Sequence, residues 1–250
     1  MGDKTEEGVC LFHKKRGEKD LECGFFSPLS GLMYIKIVSA LKSSKLYLPL
    51  CSEARVYLGT TSNASMYVLK DVMVEKLRSN IVEDYDKISV FSLLAKALIH
   101  FGAYDRESSY SLFITAANAI DRGVNPYFVF AHTIEKFFVY QGISGDYEAC
   151  PHCGKDYDAD ETLGYSKEHN CSCCEDDANI RNVLSPKLRE YLKATQDRDI
   201  DELLKNDEAD VNIYRLAAFE CFRLSVLNGR YFKEIDGFLK SMRQYRGGMM

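Results

Sequence analysis

The residues best equipped for chemistry are five cysteines crowded between positions 150 and 174. They read Cys150-Pro151-His152-Cys153, a polar run, then Cys171-Ser172-Cys173-Cys174. Two Cys-x-x-Cys pairs about 17 residues apart let two tight turns each offer two thiolates to one tetrahedral ion. Soft thiolates favour zinc, and a closed four-sulfur shell leaves no position for a substrate. The expectation is one structural Zn²⁺ per chain, held by Cys150, Cys153, Cys171 and Cys174. Cys174 is preferred to Cys173 because Cys171 with Cys174 repeats the spacing of the first pair. Cys173, His152 and His169 are the substitute ligands. A disulfide pair or metal-free thiols are the plainer alternatives.

A catalytic zinc of the cytidine-deaminase kind needs His-x-Glu followed by Pro-Cys-x-x-Cys. Here His132-Thr133-Ile134-Glu135 has one residue too many, and Ala149 stands where proline should. A second cysteine pair would also be left over. His132 is better read as a helix residue beside an aromatic core. No Gly-rich phosphate loop, nucleophile elbow or carboxylate pair stands out. The chain is expected not to be an enzyme.

The elements that position the cysteines read as helical. From residue 84 onward, Tyr85, Ile88, Phe91, Leu94, Leu98 and Phe101 recur at three- and four-residue steps. A second helix spans 108–121. Asn125-Pro126 is a cap with a proline at the first helical position, opening a third helix that is aromatic on several sides. Ser185-Pro186 repeats that signature after the cysteines. A short helix around Ile200, Leu203 and Leu204, a long one from Val211 to Leu227, and a closing one around Ile235, Phe238, Leu239 and Met242 complete the pattern.

Residues 8–74 read instead as short strands: Val9 to His13, Leu21 to Phe26, Leu32 to Val38, Leu46 to Leu50, Ala54 to Leu58 and Met66 to Val74. Five or six such strands suit a closed barrel, because closure removes exposed edges. The oligonucleotide-binding five-stranded barrel, the OB-fold, matches the size, and an SH3-like barrel would look similar. The fold class is therefore α+β. A barrel over 1–80 precedes a helical domain over 81–250, into which a four-cysteine zinc module is inserted at about 147–177.

Charge indicates where a polyanion would bind. The 250-residue chain has a formal net charge of -5. Residues 1–80 nevertheless hold 12 basic against 9 acidic residues, and both later segments are net acidic. The candidate phosphate contacts are Lys14, Lys15, Arg16, Lys19, Lys36, Lys42 and Lys45, with Phe25, Phe26, Tyr34 and Tyr47 as possible stacking faces. An ordinary solvated barrel surface over core aromatics is the plainer reading. The cysteine stretch itself carries Lys155 and Lys167 against eight acidic residues, which suits a staple better than a DNA clamp. Nine cysteines, an odd number, suit a reducing cytosol, and Cys10, Cys23, Cys51 and Cys221 read as buried small hydrophobes. The charged start, Met1-Gly2-Asp3-Lys4-Thr5-Glu6-Glu7, does not read as a signal peptide.

The order of these parts resembles the RecO family of bacterial DNA recombination mediators. Arg16-Gly17-Glu18-Lys19-Asp20 is similar to the family's turn after the first strand, and Phe26-Ser27 with Gly31 to its next strand and turn. The cysteine quartet falls where the family's does. Asn228-Gly229-Arg230-Tyr231-Phe232-Lys233 resembles its closing motif. The resemblance implies binding of single- and double-stranded DNA, annealing of complementary strands and help in loading recombinase. It also implies contact with RecR and with the C-terminal tail of single-strand-binding protein, in the cytoplasm at the nucleoid. The segment Ser39-Ala40-Leu41-Lys42-Ser43-Ser44-Lys45 is less basic than its counterparts in the family. A protein-only adaptor stabilised by zinc is the competing expectation.

Overall fold

In a computed structural model describing residues 3–41, 46–60, 66–103, 105–169, 171–205, 211–228 and 235, the N-terminal apolar alternation becomes a barrel. Its strands are β1 (Lys4–Arg16), β2 (Asp20–Ser27), β3 (Gly31–Ile37), β4 (Glu53–Thr60) and β5 (Tyr67–Lys76). They close in the order β1-β2-β3-β5-β4. Every pair is antiparallel except β3 with β5, which run parallel where Ile35 meets Tyr67. β1 serves two neighbours, pairing with β4 over residues 4–9 and with β2 over residues 9–16. A bulge between Cys10 and Phe12 bends it from one to the other. Period-2 alternation sends Met33, Ile35 and Ile37 of β3 and Ala54, Val56 and Leu58 of β4 inward, onto Cys10, Cys23 and Phe25.

The strand expected at 46–50 does not form. Pro49 brings no N–H to a ladder, and Cys51 takes a φ of 63°, so the segment stays irregular. It contributes Leu48 to the barrel core instead.

Three helices follow: α1 (Ser79–Val82), α2 (Tyr85–Phe101) and α3 (Arg106–Asp121). Asp84 caps α2 by accepting from the N–H groups of Asp86 and Lys87, and Asp105 caps α3 through Ser108. Phe91 and Phe113 join α2 to α3, their ring centroids 5.2 Å apart. The change of period near residue 80 suggests a boundary there, but the first compact unit runs to residue 122. The reason is visible in Arg78, buried just after β5. It donates to the Cys51 carbonyl at 2.9 Å and to Asn118 of α3 at 3.0 Å, and it pairs with Glu53 of β4. Phe26 of β2 also stacks on Tyr110 of α3.

The second unit, residues 123–250, opens with α4 (Pro126–Tyr140). Asn125 accepts from the N–H groups of Tyr127 and Phe128, and Pro126 occupies the first turn, as the sequence predicts. The cysteine stretch folds as a small antiparallel sheet of β6 (Leu163–Ser166), β7 (Cys171–Cys173) and β8 (Ile180–Leu184), in the order β7-β6-β8. Helices α5 (Pro186–Asp197), α6 (Ile200–Leu203) and α7 (Val211–Asn228) follow, α5 capped by Ser185. The expected closing helix, Ile235 apart, and the motif at 229–233 lie outside the described residues. No described helix is long and apolar enough to cross a membrane.

A buried polar cluster ties this unit together. Arg223 of α7 pairs with Glu135 of α4 and Glu220 of α7, all three shielded from solvent. Tyr147 and Ser144 donate to Glu135, and Gln196 of α5 donates to the Gly145 carbonyl at 2.8 Å. The guanidinium lies 4.2 Å over the Phe138 ring. One cation serves two carboxylates, and burial raises the Glu220 carboxyl to about 8 against the opposing pull of Arg223. Its folded value stands above the ordinary 4.5, so the folded state keeps a proton that the unfolded chain releases. That contribution is complete below the unfolded value and is lost as pH rises through the folded one. Thermal unfolding temperature is thus expected to decline between about pH 5 and about pH 9, and Glu220→Gln to flatten the decline. Arg223→Met strands Glu135 without its cation and is expected to cost about 3–5 kcal/mol in urea unfolding.

Candidate metal centre and basic barrel face

The first cysteine pair is a tight turn. The Cys150 N–H donates to the Lys155 carbonyl at 2.8 Å, and the Gly154 N–H donates to the Cys150 carbonyl at 2.9 Å. Gly154 closes the turn with a φ of 71°, a conformation that glycine adopts without a Cβ clash.

The second pair is built differently. β7 runs extended through Cys171 to Cys173, and Cys174 then caps a 3₁₀ turn over Glu175–Asp177. The Asp177 N–H donates to the Cys174 carbonyl at 3.2 Å. Residues three apart eclipse in a 3₁₀ turn, so the Asp177 carboxylate comes over the Cys174 sulfur.

The result is a four-donor group. Single ligand atoms of Cys150, Cys153, Cys174 and Asp177 all lie within 4.8 Å of one another. Cys153 Sγ is 3.8 Å from Cys174 Sγ, Cys150 Sγ is 3.5 Å from Asp177 Oδ2, and Cys174 Sγ is 3.1 Å from the same oxygen. A tetrahedron with metal–sulfur and metal–oxygen bonds of ordinary zinc length has S···S edges of about 3.8 Å and S···O edges of about 3.5 Å. The donors could thus hold a metal ion. Burial, then the bond to Asp177, pushes the Cys174 thiol up to about 12, while bonds from Cys174 and Cys150 hold the Asp177 carboxyl below its usual value. An ion must displace the thiol protons to bind.

Three of the four expected ligands converge, and Asp177 stands where Cys171 was expected. An extended strand carries Cys171 about 10 Å along the chain from Cys174. Its sulfur lies 3.5 Å from His152 Nε2, and the His152 and His169 rings are 4.4 Å apart. Cys173 is buried against Cys150 and Cys174, outside the four-donor group. The sequence signal for Asp177 was an acid three residues after a cysteine that starts a turn. Arg189 of α5 anchors the module, donating to the Asp158 carbonyl at 2.6 Å and the Ala159 carbonyl at 3.0 Å. His132 bonds Thr195 and Glu135 pairs with Arg223, so neither belongs to the cysteine group.

On the barrel, Lys14, Lys15 and Arg16 stand exposed at the end of β1, and Lys19 in the turn that Gly17 makes with a φ of 64°. Arg16 pairs with Glu22 and Lys36 with Asp20, the latter at 2.8 Å, which spends part of the positive charge locally. Lys42 and Lys45 lie outside the described residues. Phe25 and Phe26 are buried and offer no stacking face, because strand alternation and α3 cover them. Tyr34 and Tyr47 are 42 % and 48 % exposed.

A scan against protein-family models finds no match for this chain, and a search of curated proteins finds no significant match.

The geometry separates Asp177 from Cys171 by experiment. Asp177→Asn and Cys150→Ser are each expected to lower Co²⁺ affinity by about 10–100-fold or more in chelator competition. Cys171→Ser is expected to leave it nearly unchanged.

Proposed function

We propose that this chain is a non-enzymatic DNA-binding recombination mediator of the RecO kind, in which an OB-fold binds DNA and a zinc ion staples the helical part. One observation carries the proposal: the five-stranded barrel closed in the order β1-β2-β3-β5-β4, with Lys14, Lys15, Arg16 and Lys19 exposed around the turn between β1 and β2. Barrels of that class bind oligonucleotides on the face of strands 2 and 3 and with the loop joining strands 1 and 2. Here Lys14, Lys15, Arg16 and Lys19 flank that loop, and Lys36 and Tyr34 lie on β3. Binding of this type is electrostatic and tolerant of sequence, with exposed tyrosines as stacking surfaces.

Zinc is the ion the donor set suits. Thiolates select soft metals, and three of them with one carboxylate make a closed tetrahedron that leaves no site for catalysis. Cys150, Cys153, Cys174 and Asp177 would hold it, and its role is structural. RecR and the acidic tail of single-strand-binding protein are the proposed partners, in the cytoplasm at the nucleoid.

A protein-only adaptor is the second reading, favoured by the pairing of Arg16 with Glu22 and of Lys36 with Asp20. The two separate in an annealing assay with complementary oligonucleotides at low salt. The mediator reading expects annealing and single-strand binding that fall steeply as salt rises. Lys14→Ala with Lys15→Ala is expected to reduce the salt slope by about one unit per lost phosphate contact. Absence of strand binding at low salt, with partner capture retained, would leave the adaptor.

A further inference from the structure

A second set of soft donors converges inside the barrel. Cys10 Sγ lies 3.2 Å from Cys23 Sγ and 3.4 Å from His13 Nε2, and the three ligand atoms all lie within 4.8 Å of one another. Both cysteines are fully buried among the apolar residues of the barrel core. His13 is half-buried, its ring edge-on to Tyr47 with centroids 5.9 Å apart. Its Nε2 is also 2.8 Å from the Leu48 carbonyl oxygen.

The convergence is specific to this chain's local structure. In a regular strand, residues three apart point to opposite faces. The bulge between Cys10 and Phe12 inserts one residue, so Cys10 and His13 turn to the same side. His13 is also the direct cross-strand partner of Cys23. The irregular segment that replaces the expected strand at 46–50 brings the Leu48 carbonyl to the same point.

We propose that Cys10, His13 and Cys23 form a second zinc site, separate from the cysteine module. Two thiolates and an imidazole are zinc or copper(I) donors by softness. Charge decides between them. Two thiolates cancel Zn²⁺ and leave the buried site neutral, whereas Cu⁺ would leave an uncompensated negative charge in an apolar core. Tetrahedral zinc places sulfur and nitrogen about 3.6 Å apart and two sulfurs about 3.8 Å apart. The observed S···N distance of 3.4 Å is near that value, and the 3.2 Å S···S distance opens by about 0.6 Å on loading. The Leu48 carbonyl, 2.8 Å from Nε2, is the nearest candidate for a fourth donor and would have to draw back about 0.6 Å to complete the tetrahedron. Without metal, that carbonyl can only accept, so His13 Nε2 carries the hydrogen. On loading, the ring hydrogen moves to Nδ1, the Nε2 lone pair binds zinc, and two thiol protons leave to solvent. Such an ion would tie β1, β2 and the segment before β4 together beside the basic turn.

The test is Co²⁺ and Zn²⁺ titration of full-length, reduced, metal-stripped protein. Wild type is expected to take up two equivalents, and Cys150→Ser/Cys153→Ser one. The remaining equivalent should show a thiolate-to-cobalt charge-transfer band with the intensity of two thiolates. Adding His13→Gln to that variant should abolish the band. His13→Gln alone, a substitution at a half-buried position, should reduce two equivalents to one. The proposal is overturned if wild type binds a single equivalent that His13→Gln leaves in place, or if a folded Cys150→Ser/Cys153→Ser protein binds no metal. Should that double variant not fold, the comparison of wild type with His13→Gln decides alone. Failure here leaves the cysteine module intact, because that centre is read from the equivalent that Cys150→Ser/Cys153→Ser removes.

Discussion

A guanidinium buried among carboxylates is the constraint on which the C-terminal unit depends. Arg223 meets Glu135 and Glu220 away from water, where an unpaired charge would be costly. Its partners come from α4, from α7 itself, from the segment 144–147 that leads into the cysteines and, through Gln196, from the end of α5. The cluster therefore ties the entry to the cysteine stretch, residues 144–147, to α4, α5 and α7. The β6 strand of that stretch is held separately, by buried Leu163 and by Tyr165 lying edge-on to Phe219 and Phe222 of α7. The four-donor group of Cys150, Cys153, Cys174 and Asp177, which could hold a metal ion, lies within the same stretch.

The barrel unit follows the same logic with a different cation. Arg78 is buried where β5 gives way to helix, and it collects the Cys51 carbonyl, Glu53 and Asn118. This explains why a change of hydrophobic period near residue 80 is not a change of compact unit. The period reports which secondary structure forms. Whether two stretches pack as one is decided by side chains such as Arg78 and Phe26 that reach across.

Both donor clusters arise at irregularities. Asp177 joins the module because a 3₁₀ turn stacks positions three apart, and Cys10 meets His13 because a bulge adds one residue to β1. A regular continuation in either place would have sent one donor elsewhere. Sequence spacing assumes regular local structure, which is why it predicts the Cys150–Cys153 turn but names Cys171 for the other half, where the donor group has Asp177. Likewise, Phe25 and Phe26 have the composition of stacking platforms, but their place on β2 buries them.

Much was legible in the residues alone. The alternating apolar positions of β3 and β4, the caps Asn125-Pro126 and Ser185-Pro186, and the tight Cys-x-x-Cys turn depend on neighbours a few places away. Local rules of dihedral preference, capping and period therefore suffice for them. The closure of the barrel through the parallel β3–β5 pair and the burial of Arg78 and Arg223 could not be read this way. Each depends on residues tens of positions apart, and on the free energy of removing charged or polar groups from water. Only the packed chain decides that balance, because only there does a distant partner become a neighbour.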